Sequence, residues 1–287
     1  MLNLLLGIVF FNVILILFKL FDKYKVDNLQ AIIINYLVAG TCGLIFTSTE
    51  ITPNEIFGAK WVYIGVLIGL IFIVVFNLLA TSAQKVGLAL STVANKMSVI
   101  LPVVASFFLY GDDVSFLKIL GILLALGGVV LSSISGGSLN FDKKYLWLIL
   151  FIFFGQGIAD ILFNYAQKTY VESTHQEIFI SVLFLSAFVC GLFILTGRLI
   201  QKKEKLRAKN ILWGIALGVP NYLTVFYFFK ALESGFMQSS QVYPILNMGV
   251  IVLSALTGLL LFKEKLSGLN WLGIGLSVLA IVAIIFG

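Results

Sequence analysis

Along this chain apolar residues run for about twenty positions at a time, and polar residues collect in the short connections between the runs. A bilayer core is crossed by about 20 apolar residues in a helix. The pattern predicts ten such crossings, over residues 2–20, 30–48, 61–82, 87–110, 115–135, 146–167, 176–197, 211–229, 236–262 and 267–286. The runs are continuous and do not alternate, which selects helices over a membrane barrel, because in lipid each helix satisfies its own backbone amides. Trp61, Trp147, Trp213 and Trp271 each fall near the start of a run, at the headgroup level that amphipathic indoles favour. The fold class expected is an all-α integral membrane protein.

The order of the runs repeats. A shift of 152 positions places Asn95 on Asn247, Asp112 on Glu264, Ser115 on Ser267 and Gly121 on Gly273, and a shift of 148 places Cys42 on Cys190 and Gly87 on Gly235. Five crossings per copy is an odd number, so the second copy enters from the opposite face, giving two inverted five-helix repeats. The first repeat is residues 1–137 and the second 138–287. They form one integral domain joined through the polar stretch 135–144, SGGSLNFDKK. The run that opens at Met1 lacks a basic leader and a small-residue cleavage site, and is read as a retained first helix. Two copies of one helical unit imply motion of one against the other around a site between them.

Composition supports the bilayer as solvent: 60% of the residues are hydrophobic and 11% charged, against about 25% charged in soluble domains. Lysine and arginine accumulate in cytoplasmic loops. Of the 19 here, 14 fall in connections on the side away from the chain ends, four on the other side, and Lys96 inside a run. This bias places the protein in the cytoplasmic membrane with both termini outside. The net charge of +6 therefore reads as topology and lipid contact, and no nucleic-acid partner is expected. Cys42 and Cys190 lie inside apolar runs and read as packing residues. His175 is the single histidine and reads as a loop residue, without the companions a metal site needs.

Lys96 and Asp160 are the ionisable residues deep inside runs. Each costs on the order of 3 kcal/mol at a helix centre and must face a cavity and a partner. Polar residues surround them at helical spacing: Gln156, Asp160 and Asn164 in the sixth run, Asn77, Thr81 and Gln84 in the third, and Ser91, Asn95 and Ser98 in the fourth. Gln241, Tyr243 and Asn247 follow in the ninth, Asn221 and Tyr222 in the eighth, and Asn12, Asn35 and Tyr36 in the first two. Two readings stand open: the groups line one wet cavity, or they make interhelical hydrogen bonds and a structural ion pair, with Asp160 neutral as a variant. Pro102, Pro220 and Pro244 lie within runs and act as hinges or packing kinks.

The segments LYGDDVSFLKILGILLALGGVVL at 109–131 and LFKEKLSGLNWLGIGLSVLAIVAI at 261–284 resemble the repeat signature of the ten-helix EamA-type branch of the drug/metabolite transporter superfamily. Each has an acid after the fourth helix, a serine shortly after and a glycine opening the fifth. Asp112 and Glu264 are read as serving helix ends, with Ser115 and Ser267 as N-caps. The resemblance implies a secondary transporter of small metabolites, often an exporter of amino acids, acting by alternating access. It also implies cytoplasmic termini, against the lysine count, which is retained. Asn95-Lys96 is similar to the Asn-Lys motif of the nucleotide-sugar branch, but stands in the fourth run and not the ninth, where Met248 follows Asn247.

The expected substrate-binding set is Lys96, Asp160, Asn95, Asn247, Tyr243, Asn77, Asn164, Gln156 and Asn221. Lys96 would meet a carboxylate, Asp160 an amine or a coupling proton, and the amides and Tyr243 the neutral remainder. No cofactor or metal is expected, the partners are a solute and the bilayer, and the oligomeric state stays open. The competing readings are a sensor or scaffold without flux and a membrane-embedded enzyme. The enzyme reading lacks an HExxH or other nucleophile or metal constellation, so the protein is expected not to be an enzyme.

Overall fold

The computed structural model describes residues 1–47, 56, 58–85, 94–133, 146–202, 205–263 and 266–287. Gly87 and Ser91 with the start of the fourth run, the linker 135–144, Lys203, Glu264 and Lys265 lie outside the described residues, as do the side chains of Thr81, Gln84, Lys85 and Lys202. Among the described residues there are ten helices and no strand. They are α1 (Leu2–Lys23), α2 (Asn28–Phe46), α3 (Lys60–Lys85), α4 (Ile100–Tyr110), α5 (Phe116–Ser133), α6 (Leu146–Thr169), α7 (Gln176–Lys202), α8 (Ala208–Glu233), α9 (Ser239–Phe262) and α10 (Gly268–Phe286).

Eight of these are long and apolar enough to cross a membrane, and the apolar stretches Ala94–Tyr110 and Phe116–Leu131 are shorter. Large apolar side chains such as Phe108, Phe193 and Leu260 stand exposed on the helices, as expected where lipid is the solvent.

The helix ends follow from local chemistry. Asp27 caps α2 by accepting from the Gln30 amide at 3.0 Å. Ser267 and Asn270 form a reciprocal capping box on α10, and Ser115 Oγ accepts the Lys118 amide at 3.1 Å on α5. Asp112 Oδ2 accepts the Ser240 amide at 2.9 Å at the start of α9, so its carboxylate serves a helix end as expected. The chain leaves α4 through Gly111 at φ 65°, where a side chain would be strained.

The fourth run is broken. Residues 94–97 are helical, then the chain turns at Ser98 and Val99 before α4 begins. Pro102 has no amide hydrogen to offer the Ser98 carbonyl, and the Leu101 amide takes that carbonyl at 2.9 Å in a tighter turn. Pro220 and Pro244 stay inside unbroken α8 and α9, where Thr224 Oγ1 donates to the Pro220 carbonyl at 2.8 Å.

The described chain divides into two compact units. One unit contains residues 1–9, 75–161 and 234–287. In it α5 packs along α10, and α9 packs on α4, α5 and α10. A Cβ at Gly121 would stand 2.5 Å from Ile284 and one at Gly128 would stand 3.0 Å from the Gly273 carbonyl. These glycines allow the close backbone approach that drives association in lipid. Ala125, Val129, Met248 and Ala280 form a core there.

The other unit contains residues 10–74 and 162–233. In it α2 packs against both α7 and α8, with Gly43 held against Ser181 and the Glu177 carbonyl and a core of Ile14, Phe21, Ala31 and Leu217. The guanidinium of Arg198 donates to both oxygens of Asp27, at 3.3 and 2.7 Å, and buried Asn210 donates to Gln30 at 2.8 Å. Trp61 is buried and stacks on His175, so the histidine read as a loop residue is part of an aromatic contact. Cys42 and Cys190 are both free thiols.

Valine at Gly121 would force the α5–α10 contact apart at a cost of about 1–3 kcal/mol. Alanine at Gly127, whose added carbon would meet Leu276 at an ordinary 3.7 Å, leaves stability unchanged. Unfolding equilibria of the two variants in detergent micelles measure the difference.

Candidate functional site

The break ahead of α4 places two neighbouring polar side chains, Asn95 and Lys96, on a short helical stretch whose path is held by Ser98 Oγ donating to the Asn95 carbonyl at 2.5 Å. α6 comes close because Gly157 has no side chain: a Cβ there would lie 2.3 Å from Leu101. On α6, Gln156 and Asp160 are one turn apart and share a face. α9 adds Tyr243 and Asn247, also one turn apart.

These six residues form one hydrogen-bonded set within a single compact unit. Lys96 Nζ donates to Asn247 Oδ1 at 3.3 Å, and Asn247 Nδ2 donates to the Tyr243 carbonyl at 3.1 Å. Tyr243 Oη donates to the Asp160 carbonyl at 2.8 Å. From the other side, Asn95 Nδ2 donates to Gln156 Oε1 at 3.3 Å and Gln156 Nε2 to Asp160 Oδ1 at 3.1 Å. Residues 1–137 contribute Asn95 and Lys96, and residues 138–287 contribute the other four.

The remaining expected residues are placed as follows. Asn77 is half-buried on the part of α3 in the same unit. Asn164 and Asn221 belong to the other unit, where Asn164 is buried and Asn221 Nδ2 donates to Asn35 Oδ1 at 3.0 Å. Tyr36 and Tyr222 are buried in that unit as well.

Lys118 departs from expectation. Counted among the four basic residues on the side of the chain ends, it is 1% exposed. Its ammonium donates to the Asp113 carbonyl at 2.7 Å and to Gln238 Oε1 at 2.6 Å, and Gln238 Nε2 donates to Asp113 Oδ2 at 2.9 Å. These residues border a cavity of about 270 Å³ with Gln241 and Gly287. The sequence signal was a lone lysine inside FLKIL, three residues after a capping serine.

Residues 173–286 match the profile of the EamA-like transporter family. A Haemophilus influenzae protein, described as an uncharacterized protein, is 30% identical over 99% of this chain and 97% of its own length. The chain belongs to the EamA-like transporter family. That family is part of the drug/metabolite transporter superfamily, so the protein is a multi-pass membrane protein of a transporter family, and a small-molecule solute and membrane lipid are its implied partners. A solved crystal structure of another protein shares the fold, with a TM-score of 0.80 at 15% identity over 98% of this chain and 94% of that one.

Within this EamA-family site, Tyr243→Phe removes one interhelical hydrogen bond. Such bonds in membranes average about 0.6 kcal/mol, and the variant is expected to lose about that much in a reversible unfolding titration in micelles.

Proposed function

We propose that this EamA-family protein is a secondary transporter that exports small zwitterionic metabolites, amino acids among them, across the cytoplasmic membrane by alternating access of two inverted five-helix halves. The observation that carries the reading is the hydrogen-bonded set around Lys96 and Asp160, in which a half-buried amine and a half-buried carboxyl group are linked through Asn247, Tyr243, Gln156 and Asn95. An amino acid satisfies both charges at once, its carboxylate on Lys96 and its ammonium on Asp160. Asn95, Asn247 and Tyr243 hold the neutral part, with Asn77 and Gln156 completing the binding set.

In the empty protein the two charges compensate each other or Asp160 takes up a proton, which makes it the residue that couples proton and solute. The broken stretch ahead of α4 lets Lys96 move as the halves exchange exposure, since a helix interrupted at proline bends there at low cost.

Counterflow of radiolabelled amino acids into proteoliposomes tests the reading. Lys96→Ala and Asp160→Asn should each reduce saturable counterflow by about tenfold or more, the loss of one charged contact of 1.4 kcal/mol or above. Wild-type flux in both variants refutes the assigned roles, and product formation or non-saturable flux would point to an enzyme or a pore.

The lysine and arginine bias places both termini outside. A tag fused at the N-terminus should then be cleaved by protease added to intact spheroplasts; protection in spheroplasts with cleavage only after lysis reverses the orientation.

A further inference from the structure

Gln156 sits between two side chains of different chemistry, and an amide has one accepting and one donating end. Its Oε1 accepts from Asn95 Nδ2 at 3.3 Å and its Nε2 donates to Asp160 Oδ1 at 3.1 Å. Asn95 Oδ1 and Asp160 Oδ2 take part in no hydrogen bond among the described residues. Asn95 and Asp160 are both partly accessible. The row therefore has a direction, with every donor pointing toward the carboxyl group.

An ionised carboxylate only accepts. Facing it, Gln156 must present its NH₂, so its oxygen turns to Asn95, and Asn95 must spend its own NH₂ on that oxygen. The amide oxygen of Asn95 is then the atom left for a solute. A protonated Asp160 can donate. Its hydroxyl hydrogen goes to Gln156 Oε1, Gln156 turns its amide by half a rotation and donates from Nε2 to Asn95 Oδ1, and Asn95 turns likewise and offers its NH₂. Both arrangements hold two hydrogen bonds in nearly the same volume, because amide oxygen and nitrogen are almost the same size. The two states are thus close in energy apart from the proton.

We infer that Gln156 is a positioning residue which relays the proton occupancy of Asp160 to Asn95 and so inverts what the site offers a solute, from a hydrogen-bond acceptor to a donor. The inference rests on the reading of Asp160 as the coupling residue and adds the regulation of that site. With Asp160 ionised, Asn95 Oδ1 and Asp160 Oδ2 together suit an ammonium group. With Asp160 protonated, Asn95 Nδ2 joins the Lys96 ammonium in suiting a carboxylate. The titratable groups facing Asp160 are Lys96 from the stretch 94–97 and Tyr243 from α9, with Tyr110 of α4 beside Tyr243; the asparagine and glutamine amides carry no charge of their own.

The test is nitrogen–hydrogen correlation NMR of the side-chain amides in the full-length protein in nanodiscs, with asparagine and glutamine labelled and Asn95 and Gln156 assigned by substitution. Titrated from alkaline to acid pH without solute, the Asn95 and Gln156 signals should shift together with one midpoint. Asp160→Asn should hold both at constant positions, and Gln156→Met, which keeps the side-chain length and removes the amide, should leave the Asn95 signal still. Movement of Asn95 in Gln156→Met, movement of Gln156 alone, or no shift in the wild type would overturn the relay. Because no solute is present, the result is independent of the counterflow assay: a shifting relay in a protein without amino-acid flux would sink the transport reading alone, and flux with static amides would sink the relay alone.

Discussion

A lysine and an aspartate inside apolar helices constrain this protein more than any other feature. Each costs on the order of 3 kcal/mol in hydrocarbon, more than a typical interhelical hydrogen bond returns, so neither is tolerated without several partners arranged around it. Asn247 meets the Lys96 ammonium and Gln156 the Asp160 carboxyl group, while Asn95 holds Gln156 and Tyr243 holds the backbone carbonyl of Asp160. They come from three separate stretches of chain, and their placement depends on how closely α4, α6 and α9 approach.

The approach is made by small residues and one broken helix. Gly157 lets α6 lie against Leu101, and Gly155 lets it lie against Val75. Pro102 frees a carbonyl that the next amide upstream captures in a tight turn. Asn95 and Lys96 thereby sit on a short piece of helix separated from α4 by the turn at Ser98 and Val99. In the same unit the core residues Ala125, Val129, Met248 and Ala280 are packed together, with Met97, the residue after Lys96, against them. Outside the set, the same unit spends its remaining buried charge on structure: Lys118 ties the start of α5 to the turn before α9, and Asp112 caps α9.

The other unit solves a different problem. Its ion pair lies at helix ends, where Asp27 caps α2 and takes both guanidinium bonds of Arg198, and Asn210 and Gln30 close the connection between α7 and α8. Side-chain relative exposures of 30% and 24% for Arg198 and Asp27 mean that water screens this pair. It fixes where loops join helices.

The sequence by itself determined the medium and the helices, since apolar runs about 20 residues long can be satisfied in lipid only as helices. Ser115, Ser267 and Asp112 were legible as helix-end residues because capping is local, decided within four residues. Lys96 and Asp160 were legible as a pair of interest from the cost of their position alone. The partners of these charges were legible only as residue types: polar spacing shows which face a side chain takes on its own helix, and says nothing of which foreign helix it meets. Which side chains Gln156 meets, whether Lys118 is exposed or buried, and where the fourth helix breaks are long-range matters. Tertiary structure decided them, because a hydrogen bond between residues 61 or 151 positions apart depends on backbone approach, and approach is set by the packing of many side chains at once.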